Sequence, residues 1–179
     1  MAFAEPTVAQ FAGNPVAKYV AATRPPFLLA SLVPALIGIA SAYHGGASIH
    51  IVAAPLTVIG AVVVHAGINV LNDYYDALNG TDGANTGRLF PFTGGSRFIQ
   101  NGVLSREQTA RYGFVLLGIT ALIGFALLPY AGSGLIAIGF AGLVIGWAYS
   151  APPLALNSRG LGELCVAVGF GALIPLGAD

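Results

Sequence analysis

The stretch "GINVLNDYYDALNGTDG", residues 67–83, holds three of the seven acidic residues in a chain of 179. Asn69, Asn72, Asp73 and Asp76 stand at i, i+3, i+4 and i+7, the spacing that lines one face of a helix. Two amides and two carboxylates therefore point the same way. Asp82 follows beyond Gly80, where the helix is expected to break. Carboxylates stacked on one face repel one another, and a divalent cation removes the repulsion. An oxygen-only set of this kind suits Mg2+, which keeps waters and commonly bridges to substrate phosphates. The plain alternative is a solvated helix end that carries acids by chance. The scarcity of acids elsewhere in the chain argues against it.

The segment that follows, "GRLFPFTGGSRFIQNG" (87–102), offers groups for an anion. Backbone N–H groups around Gly94-Gly95, with Ser96 beside them, can form an anion-binding concavity. Arg88 and Arg97 add fork-shaped donors suited to phosphate. Beside an acidic metal site, they point to a magnesium–pyrophosphate ligand. The loop is longer than a plain connector, which favours a functional cap. A second polar segment, "WAYSAPPLALNSRGLGE" (147–163), brings Tyr149, Ser150 and Arg159 to the end of another apolar run. Tyr149 also suits a membrane-interface aromatic. His65 precedes the acidic motif on the same helix and has no partner at metal-ligand spacing. Helix packing is its expected role, with a pocket lining as the alternative.

The elements that must position these groups follow from composition. The chain is 56% apolar and 8% charged, whereas soluble domains carry roughly 25% charged residues. So few charges cannot cover a water-facing surface, and the expected class is an all-α polytopic transmembrane bundle. Forty-eight residues without Asp, Glu, Lys or Arg separate Arg24 from Asp73, and 47 separate Arg111 from Arg159. A crossing takes about 20 residues, so each run allows two crossings and a turn. The Gly-rich breaks "HGGASIH" (44–50) and "PYAGSG" (129–134) mark the turns. Spans are expected at about 24–43, 50–72, 107–129, 133–150 and 160–178, in one membrane domain covering residues 1–179. Ser105 and Gln108 form a capping box that starts the third span.

The charges also give an orientation. With alternating spans, Lys18, Arg24, Arg88, Arg97, Arg106, Arg111 and Arg159 all fall on one side. The positive-inside rule makes that side the cytoplasm, with the N-terminus and the Asp-rich loop on it. The first 23 residues lack the charged-then-apolar pattern of a cleaved signal peptide. Cys165, the one cysteine, has no thiol partner in the chain and is expected to be a small buried apolar residue. Zero net charge gives no indication of nucleic-acid binding.

"NVLNDYYDALNGTDG" (69–83) resembles the first Asp-rich motif of the UbiA superfamily of intramembrane aromatic prenyltransferases, and "YSAPPLALNSRGLGE" (149–163) resembles that family's loop between its fourth and fifth helices. The similarity runs through the chain from "TRPPFLLASLVPALIG" (23–38) onward. The motif spacing and the "TGGSRFIQ" loop are most similar to the menaquinone branch, the 1,4-dihydroxy-2-naphthoate prenyltransferases. The resemblance implies Mg2+-dependent transfer of a polyprenyl group from an isoprenyl diphosphate to an aromatic acceptor, in a membrane of bacterial or archaeal type. It assigns Asp73 and Asp76 to catalysis, and Asn69, Asp73, Asp76 and Asp82 to the metal. Asn72, Arg88, Ser96, Arg97, Tyr149, Ser150 and Arg159 become candidate substrate contacts. The family has about nine helices and a second Asp-rich motif, which this chain lacks. The expectation is therefore an N-terminal part of a longer protein, inactive alone. Asn157 stands where related sequences often have Lys. Two other readings use the same acids: a membrane enzyme like the CDP-alcohol phosphatidyltransferases, whose D-G-x-x-A-R start is not met at Asp82-Gly83, and a non-enzymatic cation-binding membrane protein.

Overall fold

The computed structural model describes residues 4–179, and every described element is helical. A short helix α1 (Pro15–Ala22) begins where the Asn14 side chain accepts from the N–H groups of Val16 and Ala17, with proline at its first position. A 3-10 turn, Pro25–Leu28, leads into α2 (Leu29–His44). The longest helix, α3 (Ala53–Asn79), has 27 residues. At 1.5 Å per residue it measures about 40 Å, against about 30 Å of hydrocarbon. Its final turns, which carry the acids, therefore have room to stand beyond the apolar layer. It stops at Gly80, whose φ of 83° only glycine adopts without cost. One turn, α4 (Thr81–Ala84), follows.

The capping box is present at the start of α5 (Arg106–Leu127), with Ser105 and Gln108 each bonded to the other's backbone. Helix α6 (Gly134–Ser150) comes next. Helices α7 (Gly162–Val168) and α8 (Ile174–Ala178), joined by a π turn at Gly169–Leu173, read on as one apolar helix. Among the described residues, Pro25–His44, Ala53–Asn79 and Arg106–Leu127 are long and apolar enough to cross a membrane. Gly134–Ser150 and Gly162–Ala178 are shorter apolar helices.

Helix α3 is the central post, packed against α2, α5 and α6. Small residues set the approach, as expected where lipid removes the hydrophobic drive between helices. A Cβ at Gly113 of α5 would lie 2.6 Å from Leu71 Cγ of α3, and one at Gly67 would lie 3.2 Å from Leu116 Cβ. Gly146 of α6 likewise leaves room for the Ile68 side chain. Ala66, Val70 and Leu116 are buried at the α3–α5 seam. Large apolar residues such as Leu122, Phe125 and Phe140 face outward, where a soluble protein would carry charge. A second cluster forms around Ala22, Phe98, Val103 and Leu104, with Phe11 and Tyr19 against it. This cluster pins the long loop between α4 and α5 onto the N-terminal segment, over the acidic end of α3.

Candidate functional site

The acidic end of α3 is closed in from three sides. Asp73 is 4% exposed, Asp76 8% and Asp82 3%, a degree of burial that ionised carboxylates tolerate only with partners. Asp73 forms an ion pair with Arg24 and accepts from the Ser96 N–H at 3.1 Å. The Gly94-Gly95 turn brings that N–H into place, with φ of 83° and 74° at the two glycines. Gly95 sits between two carboxylates. A Cβ there would lie 3.0 Å from Asp73 Oδ1 and closer still to the Asp82 carboxylate. Arg97 Nη1 donates to the Asp82 carbonyl at 2.6 Å, and Gln100 Nε2 donates to Asp82 Oδ2 at 3.4 Å. Burial first, then the charges of Asp73 and Asp76, push the Asp82 carboxyl up to about 6.

Asp76 belongs to a neighbouring network. Asn72 Nδ2 donates to Asp76 Oδ2 and to Ser150 Oγ, both at 2.8 Å. Asn79 Nδ2 donates to Asp76 Oδ1 at 3.4 Å, and Asn157 also reaches the carboxylate. Asn72 thereby ties α3 to the end of α6. Asn69 Nδ2 donates to the Thr23 carbonyl at 3.1 Å, fixing the turn that carries Arg24. Below these groups a cavity of about 360 Å³ opens among α2, α3, α6 and the last helix. Arg24, Asn69, Asn72 and Tyr149 line its polar end, and Ile68 and Phe170 its apolar part.

The structure thus brings Asn69, Asn72, Asp73, Asp76, Asp82, Ser96, Arg97, Tyr149 and Ser150 to one end of the bundle. Two expected contacts are otherwise engaged. Arg88 pairs with Glu5, donating from Nε at 2.7 Å, and donates to the Asn85 carbonyl at 3.1 Å. Arg159 is exposed and donates to the Pro153 carbonyl at 2.8 Å. Two residues enter that sequence reasoning passed over. Arg24, read only as a topology charge, is the cation on Asp73. Its signal was its place, in "TRPP" at the mouth of the first apolar run, on the same side as the acids. Glu5 carried no signal: it accepts from Arg88 and, at 3.2 Å, from Asn101, and lies 3.8 Å from Arg97 Nε. These partners are 83 to 96 residues away along the chain. Arg24 and Arg97, the two arginines nearest the acids, both hold φ above +50°. Non-glycine residues keep that conformation only where their surroundings enforce it.

The donor set can be weighed against a divalent cation. Among the described residues no three His, Cys, Asp or Glu side chains are grouped closely enough to hold one metal ion. Two carboxylates, Asp73 and Asp82, do converge on the space beside Gly95. One or two carboxylates, completed by waters and substrate phosphate, are what Mg2+ commonly takes. The residues present fit an ion held jointly with a phosphate ligand rather than by a closed protein cage.

An all-helical bundle with a buried acidic, glycine-rich site at one end is the class that fold and site define. Residues 31–178 match the family model described as the UbiA prenyltransferase family, and the chain belongs to that family. It is a polytopic helical membrane protein. The 2-carboxy-1,4-naphthoquinone phytyltransferase of Synechocystis is 28% identical over 155 residues, covering 87% of this chain and 48% of that protein. The 1,4-dihydroxy-2-naphthoate octaprenyltransferase of Mycobacterium tuberculosis is 30% identical over 163 residues, covering 91% and 53%. UbiA prenyltransferase domain-containing protein 1 of Xenopus tropicalis is 28% identical over 160 residues, covering 88% and 44%. The chain spans about half the length of the curated relatives it matches. No solved structure matches it.

Proposed function

We propose that this chain forms the diphosphate-binding part of an enzyme that transfers a polyprenyl group from an isoprenyl diphosphate to an aromatic acceptor. The acceptor assigned is 1,4-dihydroxy-2-naphthoate, on the route to menaquinone, because relatives named for naphthoate substrates match along most of the chain. One observation carries the reading: Asp73 and Asp82 converge on the Gly95 turn, at the polar end of an apolar bundle and beside a largely apolar cavity. A charged diphosphate needs the first environment, and the apolar groups to be joined, the prenyl carbon and the aromatic ring, need the second.

In this reading Asp73 and Asp76 are catalytic, and Asn69 and Asp82 complete the metal-binding set. Bound Mg2+ supplies positive charge to the departing pyrophosphate. The Gly94-Gly95 turn presents the Ser96 N–H, and Arg97 braces the Asp82 backbone so that the turn and the acids keep their register. Asn72 and Ser150 hold Asp76 from the side, and Tyr149 faces the cavity. Arg88, paired with Glu5, and Arg159, on the Pro153 carbonyl, would contact a diphosphate through the N–H donors those bonds leave free. In this reading the N-terminus and the Asp-rich loop are cytoplasmic, which the seven basic residues on one side of alternating spans support by the positive-inside rule.

Binding of farnesyl S-thiolodiphosphate, an inert donor analogue, tests the reading on the chain in detergent. The expected result is affinity that needs Mg2+ and drops at least about tenfold in Asp73→Asn and Asp82→Asn, the scale of a lost charge-assisted contact. Affinity that ignores both Mg2+ and the substitutions would sink the proposal. Tighter binding of a CDP-alcohol would move the chain to the phosphatidyltransferase reading.

A further inference from the structure

His65 lies on the same stripe of α3 as the site, four residues before Asn69 and eight before Asp73. At 1.5 Å per residue, that sets it about 6 and 12 Å deeper along the helix axis. The residue is 8% exposed, and its ring lines the cavity and packs against Phe170 with centroids 4.7 Å apart. Its Nδ1 lies 3.1 Å from Ser31 Oγ of α2. Ser31 is fully buried, and its one hydroxyl proton goes to the Leu28 carbonyl at 2.9 Å. Turning that proton toward the imidazole would leave hydroxyl and carbonyl lone pairs facing each other at the same distance. Ser31 therefore accepts, and the neutral His65 ring carries its proton on Nδ1. That leaves Nε2 as a bare acceptor. Among the described residues Nε2 has no hydrogen-bond partner, and it is not among the fully enclosed polar atoms that lack one.

We propose that His65 is a specificity-determining residue: its Nε2 accepts a hydrogen bond from a ring hydroxyl of the aromatic acceptor, in the cavity beneath the diphosphate site. The assignment rests on the prenyl-transfer reading and adds the group that recognises the acceptor. Ile68 and Phe170 offer apolar surface to a flat ring. At the cavity's polar end the Arg24 guanidinium can only donate; the carbonyl oxygens of Asn69 and Asn72, whose Nδ2 groups are spent on Thr23, Asp76 and Ser150, can accept but lie about one and two turns nearer the diphosphate, so His65 Nε2 is the deep acceptor. A deep acceptor held in one tautomer by α2 selects a hydroxyl over an ether or a hydrogen.

The test compares binding of 4-hydroxy-2-naphthoate, whose hydroxyl is out of reach of its own carboxylate, with that of its methyl ether, 4-methoxy-2-naphthoate. It uses the chain in detergent with Mg2+ and farnesyl S-thiolodiphosphate. Wild type is expected to prefer the hydroxyl compound about tenfold, the scale of one hydrogen bond. His65→Phe should erase the preference while Mg2+-dependent affinity for inorganic pyrophosphate stays unchanged, which shows the fold intact. Ser31→Ala, which frees the tautomer, should lower the preference without removing it. A preference that survives His65→Phe, or one absent from a wild type that binds thiolodiphosphate with Mg2+, overturns the His65 assignment alone. Failure of wild type to bind either ligand overturns the prenyl-transfer reading and this inference together.

Discussion

At the scale of single residues, the site is an arrangement of charges that only partly cancel. Arg24 neutralises Asp73, and both side chains are largely withdrawn from solvent. Removing the cation strands a buried carboxylate, which costs about 3 kcal/mol or more. Arg24→Ala should therefore lower the thermal midpoint of the metal-free chain, and added Mg2+ should recover part of the loss. A melt that is indifferent to Mg2+ would show that no ion takes the place beside Asp73. Asp82 gives a sign that can be checked. Its folded value of about 6 lies above the ordinary 3.8, so the folded chain binds the extra proton and this carboxyl favours folding below 3.8. That contribution fades as pH rises through 6. Asp82→Asn should remove it, so the midpoint difference between variant and wild type should change between pH 4 and 7 and level off above 7. Much of this residue-level picture was legible beforehand, because spacing alone put Asn69, Asn72, Asp73 and Asp76 on one helical face. Which acid would pair with which arginine was not, since pairing depends on a turn at Thr23-Arg24 that only tertiary packing fixes.

Elements were legible where local rules decide them. The Ser105–Gln108 capping box and the stop at Gly80 are both present, and both depend on neighbours a few residues apart. The length of the loop from 85 to 105 set it apart from a plain connector, but its attachment was not legible. Its two ends meet at Glu5, which takes Arg88 from one side and Asn101 from the other. The hydrogen bond from Arg88, helped by that from Asn101 and by the charges of Arg88 and Arg97, holds the Glu5 carboxyl below its ordinary value against the opposing effect of burial. The clasp should accordingly hold at neutral pH and loosen only as pH falls below the usual carboxylate range. Glu5→Gln keeps the shape and removes the charge. Amide exchange at Gly94 to Leu104 should then quicken several-fold with α3 and α5 unaffected, as expected of a local opening. Unchanged exchange would mean that the Phe11–Phe98 contact, with rings 5.4 Å apart, holds the loop without Glu5.

For the whole molecule, composition gave the helical membrane class because 8% charged residues cannot clothe a soluble surface. Hydropathy could not show how the helices close on one another. The α3–α5 contact depends on Gly67 and Gly113 lying opposite Leu116 and Leu71, and a glycine that admits a neighbour looks in sequence like any other. Orientation is the property of the whole that most needs a direct test. In a Cys165→Ala background, a cysteine at Ser48 should react with an impermeant maleimide in intact cells. One at Ser158 should react only after the membrane is opened. The reverse pattern would turn the bundle over and put the acidic site outside.

The clasp also bears on the order in which the protein is made. Glu5 leaves the ribosome first, and Arg88 follows 83 residues later. At about 5–20 residues per second that is a wait of roughly 4–17 s, with two apolar helices entering the membrane in between. Until then nothing charged from the loop can answer Glu5, and the leading segment must stay on the side where the loop will emerge. A bulky label attached beside Glu5 would therefore sit against this loop from the moment the clasp closes.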